Sequence, residues 1–513
     1  NKERILVYGD YDVDGTTAVA VMFSFLSKQP NVDMSDDLNT RQIEYRIPDR
    51  YNDGYGLNIS AIEYAKDHNF SLIITLDCGI KANKEIDFAN SLGIDVIVGD
   101  HHRSGDAIPA GYAVLDPKRP DCEYPYKELS GCGISFKIVQ AYAQKYGIPE
   151  TEVFEYLDMV VVSIASDVVP ITGENRILAH YGLKHINSRP RPAFESILKY
   201  SNVVKSSKGN PNLYFNRELS ITDLIFLIGP RINAAGRMES GKNAVRLLLA
   251  DTLERSEIHA KEIDEYNKER KLLDAKATEE ALARFDSGKI SETGKTTVVY
   301  DPSWHKGVIG IVASRLTEFY YRPTIVFTKS GDLITGSARS VKGFDIYSAI
   351  EACNDLIEHW GGHKYAAGLS IKEENFDAFC KKFEEVVALQ LADEPLIPKV
   401  EIDAEIDFSI ITRPFFENLK KFGPFGPKNL NPTFETKNVS DTGNSRIVGQ
   451  KHLKLSLIQS SKQSYPLDGI AFQQAEQEVL IKSGTPFVVA YQLEENEWNG
   501  KTTIQLNVKD IQN

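Results

Sequence analysis

The sequence predicts an α/β protein in four parts: a parallel-sheet domain, a long connecting helix, a second α/β domain and a C-terminal β-barrel. In the first third, short apolar runs ending in Asp alternate with amphipathic stretches, the pattern of a parallel sheet covered on both faces. Residues 251–285 are charged and contain no Gly or Pro, which reads as one helix. Towards the end, residues 453–458, 486–491 and 502–508 alternate in β fashion.

Taken in order, residues 5–8 form a strand that stops at Gly9-Asp10, followed by a helix over about 16–27. Residues 72–76 run into Asp77-Cys78-Gly79 and then an amphipathic helix to Leu92. Residues 94–98 run into Gly99-Asp100-His101-His102. The apolar run 156–169 carries Asp158 and Asp167 and reads as a helix packed on the sheet. The second unit is strand 296–300, helix 308–320, strand 324–327, helix 346–359 stopping at Gly361-Gly362, and helix 373–391. Pro424, Gly426, Pro427 and Pro432 mark a linker, and Asn499-Gly500 is a strong hairpin turn. The boundaries expected are 1–245, 246–290, 291–395 and 396–513, the last holding a barrel of the five-stranded oligonucleotide-binding type.

A chain of 513 residues with 42% hydrophobic and 26% charged residues has the make-up of a globular protein, not of a disordered or fibrous one. No run approaches the ~18 apolar residues of a membrane span. Five cysteines without a C-x-x-C pair fit a reducing, cytoplasmic setting rather than a disulfide framework. The opening Asn1-Lys2-Glu3-Arg4 lacks Met and enters a strand directly, which reads as a trimmed start and leaves a leader open. The net charge is −13, yet it is segregated: residues 184–217 hold seven Lys/Arg against one acid, and residues 372–407 hold eleven acids against four Lys. A polyanionic partner therefore stays open.

Asp10, Asp12 and Asp14 stand at alternate positions in Asp10-Tyr11-Asp12-Val13-Asp14-Gly15. A calcium loop would place an acid at the twelfth position, where Val21 stands, and would follow a helix rather than a strand. An Asp-rich turn is the simpler alternative for this segment alone. Asp77, Asp100, His101 and His102 close two further strands, and ligands of parallel sheets sit at that edge. Carboxylates ~4 Å apart repel by ~4 kcal/mol at intermediate dielectric, so a cation is expected among them. Mixed carboxylate and imidazole donors without thiolate suit Mn²⁺ or Mg²⁺. A shared carboxylate bridging two such ions is the arrangement that activates water and clamps a phosphoryl group.

These residues, together with further motifs, resemble the DHH phosphoesterase superfamily and, within it, its single-strand-specific exonucleases. The motifs are Gly9–Gly15, Tyr45-Arg46-Ile47-Pro48-Asp49-Arg50, Gly54-Tyr55-Gly56-Leu57, Asp77-Cys78-Gly79 and Asp100-His101-His102. Ala165-Ser166-Asp167-Val168-Val169-Pro170, the run from Gly229 to Arg237, His305-Lys306-Gly307, Gly336-Ser337-Ala338-Arg339 and the run from Gly361 to Gly368 come next, in the family's order. The resemblance implies that the second α/β unit is the DHH-associated substrate domain and that the tail is the exonucleases' oligonucleotide-binding barrel.

It further implies two ions, Mn²⁺ or Mg²⁺, held by Asp12, Asp14, Asp77, His101 and Asp167, with Asp77 bridging. Asp10 and Asp100 are expected to orient ligands. Some relatives have a histidine ligand where this chain has Tyr8, which leaves the first ion's coordination open. His102 is expected to face the scissile phosphate, the alternatives being a further ligand or a structural partner of His101. Arg50, Ser337 and Arg339 are expected to bind a 5′ phosphate; without the resemblance each arginine would more often be a surface ion-pair residue. His363 is expected at the substrate, beside glycines that allow close approach or merely stop a helix. Arg231, Asn233 and Arg237 are expected to contact substrate, and Tyr51, Tyr55 and the basic 184–217 stretch to stack on bases and track the strand, ordinary packing being the alternative. The implied activity is removal of nucleotides from the 5′ end of single-stranded DNA in repair and recombination. A single-strand-binding protein and helicases are the implied partners. Alternatives are an oligonucleotide or cyclic-dinucleotide phosphodiesterase, or a scaffold without catalysis, although every acid of the motifs is present.

Overall fold

The switch in strand order is what places the acidic strand ends around one crevice. In the computed structural model the first sheet is built from β1 (Ile5–Gly9), β2 (Ile43–Arg46), β3 (Leu72–Leu76), β4 (Asp95–Gly99) and β5 (Ala113–Leu115). All are parallel, in the order β2-β1-β3-β4-β5. The chain leaves β1 to one side and returns to the other, so the crevice opens beyond the carboxyl ends of β1 and β3. The structure describes residues 3–513 except 31, 36–40, 52, 208–212, 287–293, 392–396, 460–464 and 499–500. It divides into one unit of Asn1–Asp167, Lys184–Leu219 and Asp223–Pro398, and a second of Val168–Leu183, Ser220–Thr222 and Lys399–Asn513.

One face of the sheet buries Leu6, Ile73, Val96 and Val98 against α2 (Ile59–Asp67) and α3 (Asn83–Ser91), through Ala61, Ile62, Ile86 and Ala89. Each large aliphatic side chain so buried contributes about 1.5–3 kcal/mol. On the other side α1 (Val13–Ser27), α4 (Gly131–Tyr146) and, after α5 (Glu150–Phe154), α6 (Leu157–Ser166) pack together. α6 keeps an acid in its apolar run because Asp158, fully buried, takes a two-pronged ion pair from Arg191 at 2.6 and 2.7 Å. α1 begins earlier than the sequence predicts, at Val13 rather than Thr16. Asp12 caps it and Asp14 lies in its first turn, where a carboxylate meets the positive end of the helix. The acidic motif is therefore itself the helix start.

After α7 (Gly173–Ser188), α8 (Pro192–Lys199), α9 (Ile221–Asp223), α10 (Gly229–Met238) and α11 (Gly241–Leu248) comes the long α12 (Leu253–Asp286). The next sheet has the order β6-β7-β8-β10-β9. Its members are β6 (Thr297–Tyr300), β7 (Thr324–Ser330), β8 (Leu333–Arg339), β9 (His359–His363) and β10 (Ala366–Ile371), with α13 (Ile309–Tyr320) packed on it. The predicted helix 346–359 is a correction: α14 (Ile346–Glu351) is short, and residues 359–363 form the edge strand β9. Ile346, Ile350 and Cys353 have helical spacing and are buried. Beyond them the chain joins a hairpin in which His363 pairs with Ala366 and Trp360 with Leu369. Gly361 and Gly362 thus lie in a strand and do not stop a helix. Ser337 and Arg339 lie within β8.

After α15 (Phe376–Leu391), the second unit carries β11 (Ala404–Glu405), α16 (Arg413–Lys420), β12 (Thr433–Asp441), β13 (Arg446–Val448), β14 (His452–Gln459), β15 (Leu467–Ala471), α17 (Glu478–Ile481), β16 (Phe487–Trp498) and β17 (Lys501–Gln512). A further pairing of β12 with β14 closes the ring β12-β16-β17-β15-β14. This is the predicted five-stranded barrel, with β11 and β13 added at its margins. Phe434, Leu453, Leu455, Phe487, Tyr491 and Leu506 fill it. The predicted turn at Asn499-Gly500 lies outside the described residues. The Pro-rich segment is not a free linker: Pro427 accepts the Ile171 N–H at 2.7 Å, and a Cβ on Gly426 would stand 2.6 Å from Ile171 Cγ1.

Candidate active site

Asp12 Oδ1 accepts the Gly15 N–H at 3.0 Å, which folds the first turn of α1 back over β1. Gly15 allows this turn, since a Cβ there would lie 2.5 Å from the Asp10 carbonyl oxygen. Asp14 is held from three sides. Its Oδ2 accepts the Gly131 N–H at 2.6 Å, and its Oδ1 accepts the Cys132 N–H and the Ser163 hydroxyl, each at 2.7 Å. The two amides open α4, so the carboxylate sits on a helix N-terminus. Gly131 cannot carry a side chain, because a Cβ would lie 2.6 Å from Asp77 Cβ and 2.7 Å from its Oδ1.

Asp77 has a left-handed backbone, φ 61°, a strain on the order of 1 kcal/mol or more for a non-glycine residue. Its N–H donates to Gly99 at 2.9 Å and its carbonyl accepts the Tyr55 hydroxyl at 3.1 Å, which hold it there.

His101 turns Nδ1 to the Leu129 carbonyl at 3.0 Å. That carbonyl needs a donor, so the proton is on Nδ1 and the lone pair on Nε2. Nε2 stands 3.0 Å from Asp77 Oδ1, 3.6 Å from Asp14 Oδ2 and 3.7 Å from Asp167 Oδ2. Burial brings the imidazole down to about 4 in spite of Asp14, so at neutral pH a lone pair faces three carboxylates. Burial, reinforced by neighbouring carboxylates, pushes Asp10, Asp77 and Asp167 well above the usual range and raises Asp12. Asp10 Oδ1 and Asp77 Oδ1 are buried without a hydrogen-bond partner, a cost of about 1–3 kcal/mol each. Hard oxygen donors and a neutral imidazole converging in this way fit divalent cations. Asp14, His101 and Asp167 form one group of donors, Asp10, Asp12 and Asp77 another, and Asp77, His101 and His102 a third that links the two and keeps the further-ligand reading of His102 open.

Asp10 has a carboxylate oxygen close enough to those of Asp12 and Asp77 to share an ion with them. Tyr8 does not replace the relatives' histidine: its hydroxyl donates to Gly56 at 2.8 Å and accepts from Asn58 at 3.1 Å.

Asp100 belongs to none of the three groups and is bonded to the histidine pair next to it. Its Oδ2 accepts the Ile80 N–H at 2.9 Å; its Oδ1 accepts the His101 N–H at 2.7 Å, the His102 N–H at 3.1 Å and His102 Nδ1 at 2.8 Å. Burial alone would raise this acid, but the His102 bond and charge, with the Ile80 amide, bring it to about 2. Burial lowers His102, and Asp100 more than offsets that, so the imidazole is raised. Asp100 thus stabilises the fold fully above the unfolded carboxylate value of ~4, and the gain is lost as pH falls towards the folded value. His102 stabilises fully below ~6.5, and its gain is lost as pH rises through its raised value. In Asp100→Asn the His102 titration, followed by ring NMR, is expected to move down, since burial is then opposed only by the smaller contributions of Asp14 and Asp12. A titration left where it was would refute the assignment.

Above this cluster lies a group of cations. Arg339 Nε donates to Ser314 Oγ at 3.2 Å and its Nη1 reaches Ser337 Oγ at 3.4 Å. Arg50 lies 4.9 Å over the Tyr11 ring, and Arg237 Nη1 donates to the Gly307 carbonyl at 3.0 Å. Burial first, then the Arg50 charge, lowers Arg339 and Lys306. Burial followed by Arg50, Arg270 and Arg339 brings Arg237 to about 10. Among the described residues no carboxylate forms an ion pair with Arg50, Lys306, Arg237 or Arg339. Like charges gathered without a counter-ion suit an anion.

His363, on β9, stacks on His102 at 6.4 Å and 14°. With Tyr55, Ile80, Gly361 and Gly362 the two rings line a cleft of about 570 Å³.

Two of the residues expected at the substrate are bonded to the protein itself, Asn233 beside the acidic motif. Arg231, 6% exposed, is committed to Asp264 at 3.0 Å and to the carbonyls of Leu227 and Tyr200 at 2.7 and 3.3 Å. Asn233 Oδ1 accepts the Val13 N–H at 3.2 Å, fastening α10 to α1. Of the basic 184–217 stretch, Arg189, Arg191, Lys199 and Arg217 are paired with Glu155, Asp158, Glu257 and Asp223, and residues 208–212 lie outside the described ones. Sequence reasoning missed Gly131, Cys132 and Ser163. Their signal is Ser130-Gly131-Cys132-Gly133 directly before an apolar run, a capped helix start with small residues.

A parallel sheet with acids and a His pair at its switch point, joined to a mixed sheet carrying Ser337 and Arg339, is the architecture of DHH phosphoesterases. The DHH family N-terminal domain matches residues 4–164, the DHHA1 domain 293–389 and the RecJ OB domain 402–510. The chain is 34% identical to the single-stranded-DNA-specific exonuclease RecJ of Bacillus subtilis (strain 168), over 99% of this chain and 61% of that one. It is 33% identical to RecJ of Escherichia coli (strain K12), over 99% of this chain and 87% of that one. The crystal structure of RecJ in complex with Mn²⁺ from Thermus thermophilus superposes with TM-score 0.81 at 26% identity, covering 100% of this chain and 69% of that one. The chain belongs to the RecJ family.

Proposed function

We propose that the chain hydrolyses the phosphodiester bonds of single-stranded DNA, working inward from the 5′ end. One observation carries this reading. A carboxylate–imidazole cluster and an unpaired cationic pocket adjoin within one unit, and the Arg50 charge acts on both Asp10 and Arg339. Asp12, Asp14, Asp77, His101 and Asp167, together with Asp10, would hold two divalent cations, Mn²⁺ or Mg²⁺, which supply Lewis acidity and a water of lowered pKa. Arg50, Ser337 and Arg339 then orient a terminal phosphate, and Arg237 adds charge to that pocket. His102, whose pKa Asp100 raises, would donate to a phosphoryl oxygen in the cleft it shares with His363. Asp10 supports the first cation rather than only its neighbours.

A cleft of this size suits a single strand rather than a duplex. The family resemblance implies a helicase and a single-strand-binding protein as partners that prepare the strand, and the cytoplasm as the place of action. Among the described residues no helix is long and apolar enough to cross a membrane. The test uses single-stranded DNA labelled separately at its 5′ and 3′ ends, with Mn²⁺. Early release of labelled mononucleotide from the 5′-labelled strand is expected. Early release from the 3′ label would overturn the polarity, and cleavage of dinucleotides alone would turn the assignment to a dinucleotide phosphodiesterase.

A further inference from the structure

A second basic cleft opens on the far margin of the first sheet, at the edge strand β2. It has a volume of about 360 Å³ and is lined by Phe23, Arg41, Glu44, Tyr45, Arg46, Tyr64, Lys242 and Arg246, within the ~300–1,000 Å³ range of small-ligand sites. It shares no lining residue with the carboxylate cluster, the Arg339 pocket or the His102 cleft. Four of its side chains are cationic. Among the described residues its one acid, Glu44, is already engaged, taking Arg4 Nη2 at 3.3 Å and the Tyr64 hydroxyl at 3.1 Å, while Arg41 Nε donates to the Ser35 carbonyl at 2.9 Å.

The aromatic groups are fixed rather than loose. Arg46 lies 4.6 Å over the Tyr64 ring, and Phe23 meets Tyr45 edge-on at 5.0 Å. Arg246 and Arg41 both act on the Tyr45 hydroxyl, against the burial that raises it. Among the described strands β2 pairs with β1 alone and forms the edge of its sheet, and an edge strand offers backbone N–H groups to an acceptor. Guanidinium groups, an ammonium, a phenol and ring faces around a nucleotide-sized cleft are the chemistry that recognises a phosphate ester carrying a base. An acidic peptide would use the charges but not the rings.

We propose that the cleft between Arg41, Arg46, Lys242 and Arg246 is a second nucleotide-phosphate site, with none of its lining shared with the catalytic groups, that takes either a free mononucleotide or one nucleotide of a strand. Lys242 and Arg246 are exposed on α11, so they can be probed without touching the core. The test follows acetylation of the Lys242 amine by mass spectrometry in the full chain, without divalent ions, in the presence of dAMP, a single-stranded oligonucleotide, or a peptide of equal negative charge. Ligand at several times its Kd is expected to slow acetylation by about fivefold. Protection by dAMP identifies a free-nucleotide site, and protection by the oligonucleotide alone identifies a strand contact. In Arg246→Glu the protection is expected to vanish, while 5′ release from a short labelled oligonucleotide stays unchanged. Equal protection by the acidic peptide, or none by either nucleotide probe, would overturn the proposal.

Discussion

Asp77→Asn is expected to lower the rate of single-strand hydrolysis by about 10³-fold or more, some 4 kcal/mol of transition-state stabilisation, and at the same time to raise the melting temperature of the metal-free protein. Both effects come from one carboxylate. Asp77 Oδ1 is the nearest carboxylate oxygen to His101 Nε2, at 3.0 Å, and Asp77 belongs to the Asp10–Asp12 group, so its loss removes a donor from both sides of the cluster. Without cations the same oxygen is buried, unpartnered and repelled by Asp14, Asp12, Asp167 and Asp10. An amide of the same shape removes the charge but leaves the packing against Gly131 intact. Thermal melts in chelator are expected to shift up by on the order of 3 °C. Added Mn²⁺ should stabilise the wild type strongly and the variant little, as binding to the folded state alone requires. A variant that gains as much from Mn²⁺ as the wild type would remove Asp77 from the cation site.

The acidic strand ends are legible in the sequence because parallel strands buried on both faces are continuous apolar runs, and the polar residue that ends each run must lie at the carboxyl edge. Asp10, Asp77 and Asp100 come together through that regularity and the β1–β3 switch. What the sequence does not disclose is which oxygens face the cavity, because that depends on partners distant along the chain. Asp14 is turned by amides at residues 131 and 132 and by Ser163, whereas Asp100 is drawn back by Ile80 and by the two histidine amides. Arg231 and Arg237 stand six residues apart on one short helix, yet the first meets Asp264 of α12 and the second does not. No local pattern distinguishes them. The strand β9 is hidden for a related reason. Helical spacing from Ile346 to Cys353 satisfies one core, while the residues after it are drawn into a hairpin by β10, and pairing with a later strand overrides local periodicity.

Arg339→Ala is expected to raise KM for a 5′-phosphorylated single strand by about 10–100-fold while changing kcat little, and to bring the preference for a 5′ phosphate over a 5′ hydroxyl close to unity. The magnitude is that of hydrogen bonds to a charged group, about 1.5–3 kcal/mol. The split between KM and kcat arises from position, since the guanidinium is held by Ser314 and Ser337 rather than by the carboxylate cluster, and a contact made equally in ground and transition states affects binding alone. Loss of fold does not account for such a result. Arg339 has no ion-pair partner among the described residues and is held down by its own burial and by Arg50, so its removal relieves repulsion instead of breaking a bridge. Lysine at this position would restore charge without the two-pronged geometry and should recover only part of the discrimination. Measured on matched 5′-phosphate and 5′-hydroxyl strands, an equal loss on both would show that Arg339 serves the strand at large and not its end.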